Sequence, residues 1–140
     1  KIGKVFDSTT DIDAISCGND QIASAAIQIL SERRMAGKVA VVGQDADLIS
    51  CQRVVEGTQL MTVYKPIAKL ASRAAKLAIA LPRRESFPYD MLMDNKSGSM
   101  ISSYIEKPLA VYKDNMETTV IKDGFHSQED IYRNVSMVKK

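Results

Sequence analysis

Three polar side chains recur in one local context along this chain of 140 residues. Asn19 stands in Ser16-Cys17-Gly18-Asn19-Asp20, Asp45 in Val42-Gly43-Gln44-Asp45-Ala46-Asp47, and Lys65 in Met61-Thr62-Val63-Tyr64-Lys65-Pro66. Each follows or ends an apolar, strand-like run and precedes a helix-like run. An ionised carboxylate accepts hydroxyl hydrogens, an amide both donates and accepts, and an ammonium only donates. Hydrogen bonds with a charged partner are the stronger ones. The trio suits a neutral polyhydroxylated molecule better than a phosphate, which wants several donors and no carboxylate. Gly18, Gly37 and Gly43 are isolated, and neither GxGxxG nor GxxxxGK occurs.

Each residue also has a plainer reading. Asn19 or Asp20 supplies a helix N-cap, Asp45 or Asp47 caps the next helix, and Lys65 is an exposed residue before proline. The occurrence of all three at strand-to-helix junctions lifts the binding reading, while Asp20 and Asp47 are expected to be structural. Enzyme chemistry is the weaker reading. Asp45 with Lys65 would make an acid/base pair, and Asp45 with Asp47 a minimal Mg²⁺ site, but no further carboxylate is placed to help. The single histidine, His126, excludes a multi-histidine metal site. No catalytic residue, metal or cofactor is assigned. Cys17 and Cys51 read as small buried hydrophobes, with a bridge open only if their Cα atoms lie close.

The elements that must position these residues follow from periodicity. Residues 1–12 read as a helix tail and loop, and Asp13–Cys17 as a short strand. A helix then keeps Ala23, Ala26, Ile27 and Leu30 on one face and stops at Gly37. Lys38–Gly43 is a strand with little alternation, as for a parallel strand covered on both faces. A helix from Ala46 to about Val55 closes at Glu56-Gly57-Thr58, and Gln59–Tyr64 is the third strand. Pro66 starts a helix whose stripe is Ile67, Leu70, Ala71, Ala74, Leu77, Ala78 and Leu81, with Lys69, Arg73 and Lys76 on a solvated face opposite. Phe87–Met93 is a possible strand, 94–99 a turn-rich loop, and 103–112 one extended segment in which Pro108 argues against a central strand. Residues 118–121 are β-prone, and 128–138 form a weakly periodic last helix. The order β-α-β-α-β-α with short connections predicts consecutive parallel strands, an α/β fold with a parallel sheet flanked by helices. A crevice then lies at the carboxyl ends of the strands. Three strands make a thin sheet whose open side needs covering.

Composition bounds the partners. The chain is 45% hydrophobic and 26% charged with net charge +2, and its Lys and Arg are scattered among acids, which gives no argument for nucleic acid. No apolar run approaches the roughly 20 residues of a membrane span, and no signal segment opens the sequence.

At these same residues the chain resembles the xylose-binding group of the ribose/galactose-type periplasmic binding proteins that serve bacterial ABC sugar transporters. The resemblance is carried by Ser16–Asp20 with Ala25–Gln28, Ala36–Ala40, Gly43–Leu48, Gly57–Gln59, Met61–Ile67 and Thr118–His126. It implies the C-terminal lobe of a type I periplasmic-binding-protein-like fold: a partial sugar-binding lobe over 1–112 and a C-terminal segment after the hinge region over 113–140. It also implies ligand contacts from Asn19, Asp45 and Lys65, D-xylose or a related monosaccharide as ligand, and an extracytoplasmic location. The expected partners are an N-terminal lobe carrying the family's stacking tryptophans and a membrane permease or sensor-kinase ectodomain. Trp is absent from these 140 residues, which fits that expectation. The stretch 83–106 departs from the family pattern. Alternatives are a binding protein that signals through a sensor kinase, the effector domain of a sugar-responsive repressor, and self-association through an exposed half-sheet.

Overall fold

The computed structural model describes residues 2–9 and 11–135. Its elements run α1 (Ile2–Ser8), β1 (Ala14–Ser16), α2 (Asp20–Glu32), β2 (Ala40–Gln44), α3 (Leu48–Glu56), β3 (Met61–Tyr64), α4 (Ile67–Ala80), β4 (Met91–Asp94), β5 (Met100–Ser103), β6 (Leu109–Val111), a π-helical turn (Glu117–Ile121) and α5 (Gln128–Ile131). Contacts divide the chain into two units, Lys1–Tyr64 with Leu109–Lys140, and Lys65–Pro108.

The first unit is built on a four-stranded sheet in the order β1-β2-β3-β6. β1, β2 and β3 are parallel, as predicted, with Ser16 opposite Val42 and Gln44 opposite Val63. β6 adds an antiparallel edge strand on β3. Pro108 immediately precedes that edge strand, which agrees with its exclusion from a central position.

Helix α2 packs on β2 through the predicted face. Ala23, Ala26, Ile27 and Leu30 join Phe6, Cys17, Val39 and Val41 in one buried cluster. A second cluster unites Ala46, Cys51, Val54, Val55, Tyr64 and Val111 with Met116, Val120 and Ile131 from the C-terminal segment. Cys17 and Cys51 are both free and buried, one in each cluster.

Several expectations are corrected. β2 alternates: Val41 and Gly43 are buried, while Ala40, Val42 and Gln44 are half-buried. Only one face of the sheet is fully covered, so the pattern of a strand buried on both sides does not hold. α2 stops before Gly37, because Arg34 takes a left-handed φ of 57° and the Met35 amide donates to Leu30 O at 2.8 Å, closing the helix there. The β-prone stretch 118–121 is helical. Thr118 and Thr119 hydroxyls donate to Asn115 O, and Met116 and Val120 are both drawn into the core. Tertiary burial overrides β propensity here. The last helix is short, Gln128–Ile131, and 136–138 lie outside the described residues.

The second unit holds α4 and the β4–β5 hairpin. The 87–93 strand shrinks to Met91–Asp94, and 103–112 divides between β5 and β6. No residue of α4 is buried, and Ile67 and Leu70 of its apolar stripe are more than half exposed. Helical period reports amphipathicity and does not name a partner. Arg73 leaves the expected solvated face: its guanidinium lies 3.2 Å from the Tyr104 ring centroid, and its Nε is 3.5 Å from Glu106 Oε1.

Candidate functional site

The parallel register puts the ends of β1 and β2 at one edge of the sheet, and the segments bearing Asn19 and Asp45 leave from that edge. Asn19 is the N-cap of α2. Its Oδ1 accepts from the Ile22 amide at 2.9 Å, which satisfies one of the donors left open at a helix start. The cap therefore belongs to Asn19 and not to Asp20. Capping engages the side-chain oxygen and fixes where the amide group stands. The Gln44 side-chain amide donates to Gly18 O at 3.4 Å, linking the two loops across the edge.

Asp45 follows β2 directly and is half-buried. It has φ 104°, and Ala46 after it has φ 54°. Two consecutive left-handed residues with side chains are uncommon, and the surroundings hold them. The Asp45 amide donates to Val63 O at 2.8 Å. The Ala46 amide donates to Thr62 Oγ1 at 3.1 Å. Ala46 O lies 2.8 Å from His126 Nε2, and the Cys51 thiol is 3.5 Å from the same oxygen. His126 thus reaches the turn as a support from the C-terminal segment.

Asp20 is structural, as expected, but neither Asp20 nor Asp47 caps a helix with its side chain. Asp47 stands at the N-cap of α3, but its side chain makes no capping bond. Its amide instead donates to Asp20 Oδ2 at 2.9 Å. Asp20 is 1% exposed. It also accepts from Thr62 Oγ1, 2.8 Å from Oδ2, and from Gln59 Nε2, 3.1 Å from Oδ1. Burial pushes its carboxyl above the ordinary range, the hydrogen bonds from Thr62, Asp47 and Gln59 pull against this, and the Asp47 charge adds to the rise. Burial, then the Asp20 and Asp47 charges, push the nearby Cys51 thiol up to about 12.

Gly43 completes the arrangement. A Cβ at this position would stand 2.1 Å from Asp20 Oδ1 and 3.0 Å from Gln59 Nε2. The glycine of the Gly43-Gln44-Asp45 stretch is thus required by the close approach of a buried carboxylate. Sequence reasoning missed Thr62 and Gln59, which lie 42 and 39 residues from Asp20. The one available signal was a glycine inside a strand.

Lys65 follows Tyr64, the last residue of β3, by one peptide bond, and it is exposed. It opens the second unit, whereas Asn19 and Asp45 lie in the first. Among the described residues, no group of three or more His, Cys, Asp or Glu is arranged to hold a metal ion. None of their helices is long and apolar enough to cross a membrane.

The family model for the periplasmic binding protein domain matches residues 2–85, a span that contains Asn19, Asp20, Asp45, Thr62 and Lys65. This chain belongs to that family. It is 47% identical over 122 residues to the D-xylose-binding periplasmic protein of Haemophilus influenzae, covering 87% of this chain and 36% of that protein. It is 44% identical over 120 residues to the D-xylose-binding periplasmic protein of Escherichia coli, with 86% and 36% covered. The chain therefore spans about a third of the length of these relatives. The crystal structure of a carbohydrate transporter solute-binding protein from Chloroflexus aurantiacus in complex with D-glucose superposes with a TM-score of 0.78 at 25% identity, covering 92% of this chain and 39% of that one. The expected fold class holds: a mostly parallel sheet flanked by helices, as in the type I periplasmic sugar-binding proteins.

Proposed function

We propose that this periplasmic binding protein chain supplies one wall of a two-lobed monosaccharide site, with D-xylose as the ligand and Asn19, Asp45 and Lys65 as its contacts. The observation that carries the reading is the 47% identity to a D-xylose-binding periplasmic protein over most of the chain. The pinned edge at Asn19 and Asp45 supports it, because a sugar site needs polar groups held in place before the ligand arrives. The carboxylate of Asp45 accepts from sugar hydroxyls, the Asn19 amide contributes a donor, and the Lys65 ammonium donates to ring or hydroxyl oxygens. The opposite wall, with its aromatic surface, comes from an N-terminal lobe. Hinge closure around the sugar presents the closed form to a membrane permease outside the cytoplasm. The protein acts by binding and not by catalysis.

Calorimetric titration of D-xylose tests the reading, with this chain alone and with the chain joined to an N-terminal lobe. The expected result is weak or undetectable binding alone and tight binding in the joined form. Full affinity in the isolated chain would overturn the two-wall account, and no binding in either form would overturn the sugar reading.

A further inference from the structure

We propose that Asp20 is the positioning residue of this site: through Thr62 and the Asp47 amide it holds the left-handed Asp45–Ala46 turn and so fixes where the Asp45 carboxylate stands. The inference rests on the reading of Asp45 as a ligand contact. Asp45 and Ala46 both take positive φ, a backbone state that residues with side chains seldom adopt without outside support. Besides Val63 O and the His126 ring, that support comes from one buried group. Thr62 Oγ1 accepts from the Ala46 amide, and the same hydroxyl donates to Asp20. Beyond the turn, the Asp47 amide donates to Asp20 Oδ2, the same oxygen that the Thr62 hydroxyl approaches most closely. The turn is thus gripped on both sides of Ala46 by a single carboxylate, one bond directly and one through a hydroxyl.

Asp20 is also the first residue of α2, next to Asn19. One buried carboxylate therefore ties the segment bearing Asn19 to the segment bearing Asp45. Gln59 Nε2 holds its Oδ1 from a third direction. Gly43 leaves the space it occupies. A carboxylate suits this place because the Asp47 amide, the Thr62 hydroxyl and the Gln59 amide all arrive as donors.

The test uses Thr62→Val, which keeps the shape and removes the hydroxyl, and Thr62→Ser, which restores it, both in the two-lobed protein. Two quantities are read: amide hydrogen exchange at Ala46 relative to the core amide of Leu30, and D-xylose affinity. Thr62→Val is expected to speed exchange at Ala46 and to weaken sugar binding, each by about tenfold, because a buried donor loses its partner. Leu30 is expected to be unaffected, and Thr62→Ser to recover both quantities. A purely structural role would move all amides together and would not be rescued at the turn alone. Asp20→Asn keeps the volume but sets an NH₂ against a donor, and is expected to speed exchange at Asp47 in the same way. Unchanged exchange at Ala46 in Thr62→Val would overturn the proposal, as would faster exchange with undiminished sugar affinity. Failure of the parent protein to bind D-xylose would contradict the sugar reading alone, and the exchange result would still decide whether Asp20 and Thr62 hold the turn.

Discussion

The Gly43–Asp47 segment and the β4–β5 hairpin are both short and both contain turn residues with positive φ, yet they are held by opposite means. In the first, the backbone is fixed by groups distant in sequence: Val63 O, the Thr62 hydroxyl, the Asp20 carboxylate and the His126 ring. In the second, the bonds are local. Asp94 Oδ1 accepts from the Lys96 amide, Asn95 Oδ1 accepts from Ser97, and the two strands pair only with each other. Met91, Leu92, Met93, Met100 and Ile101 are all exposed along both strands. The turn at the end of β2 is thus fixed by long-range bonds, some of them to a buried carboxylate, whereas the hairpin is shaped by its own turn.

Glycine substitution separates the two regions most sharply. Gly43→Ala forces a Cβ against Asp20 Oδ1, and the expected loss of stability in chemical denaturation is about 3 kcal/mol. Gly98→Ala in the hairpin turn meets nothing within 4 Å and suffers only from its φ of 84°, so about 1 kcal/mol is expected. Similar losses at both positions would break the comparison.

Within the second unit, Arg73→Ala removes the stacking on Tyr104 and the contact with Glu106. About 1 kcal/mol or less is expected in denaturant melts, since these groups remain partly solvated. A larger loss would mean that this unit depends on one side chain as the first depends on Asp20.

Near neutral pH, thiol chemistry gives the smallest energetic effect. The folded Cys51 value of about 12 lies above the ordinary 9.0, so the folded form holds its proton more tightly. Its contribution to stability is complete below about pH 9 and is lost as pH rises towards 12. Stability is therefore expected to show no loss from Cys51 between pH 7 and 9. A thiol reagent is expected to modify Cys51 only as fast as the protein opens, while a Met93→Cys hairpin variant reacts at once. Rapid labelling of Cys51 at pH 8 would contradict its burial.

Much of the first unit was legible because its signals are local and repeated. The α2 face of Ala23, Ala26, Ile27 and Leu30, the glycine stop at Gly57 and the β-α-β order all follow from period and capping. Gly57 has φ 89°, and its amide reaches Arg53 O, as a C-terminal glycine should. Asn19 as a cap was legible for the same reason. What periodicity could not supply was any partner distant in sequence. The role of Asp20 needs Thr62 and Gln59 beneath it, and the helical turn at Glu117–Ile121 needs the core that receives Val120. A helix pattern distinguishes faces without showing what lies against them, so it does not show that Arg73 meets Tyr104 and Glu106. The edge strand β6 falls inside the extended segment expected over 103–112, but Pro108 marks a boundary without saying that a strand begins just after it.

In the proposed site, the carboxylate at the end of β2 meets the sugar while the one at the N-cap of α3 does not. Calorimetric titration of D-xylose into the two-lobed protein, with Asp45→Ala set against Asp47→Ala, tests this most directly. The expected result is a loss of about 1.5–3 kcal/mol at Asp45, roughly ten- to a hundredfold in affinity, with a much smaller change at Asp47. Equal losses at the two positions, or a larger loss at Asp47, would contradict the account.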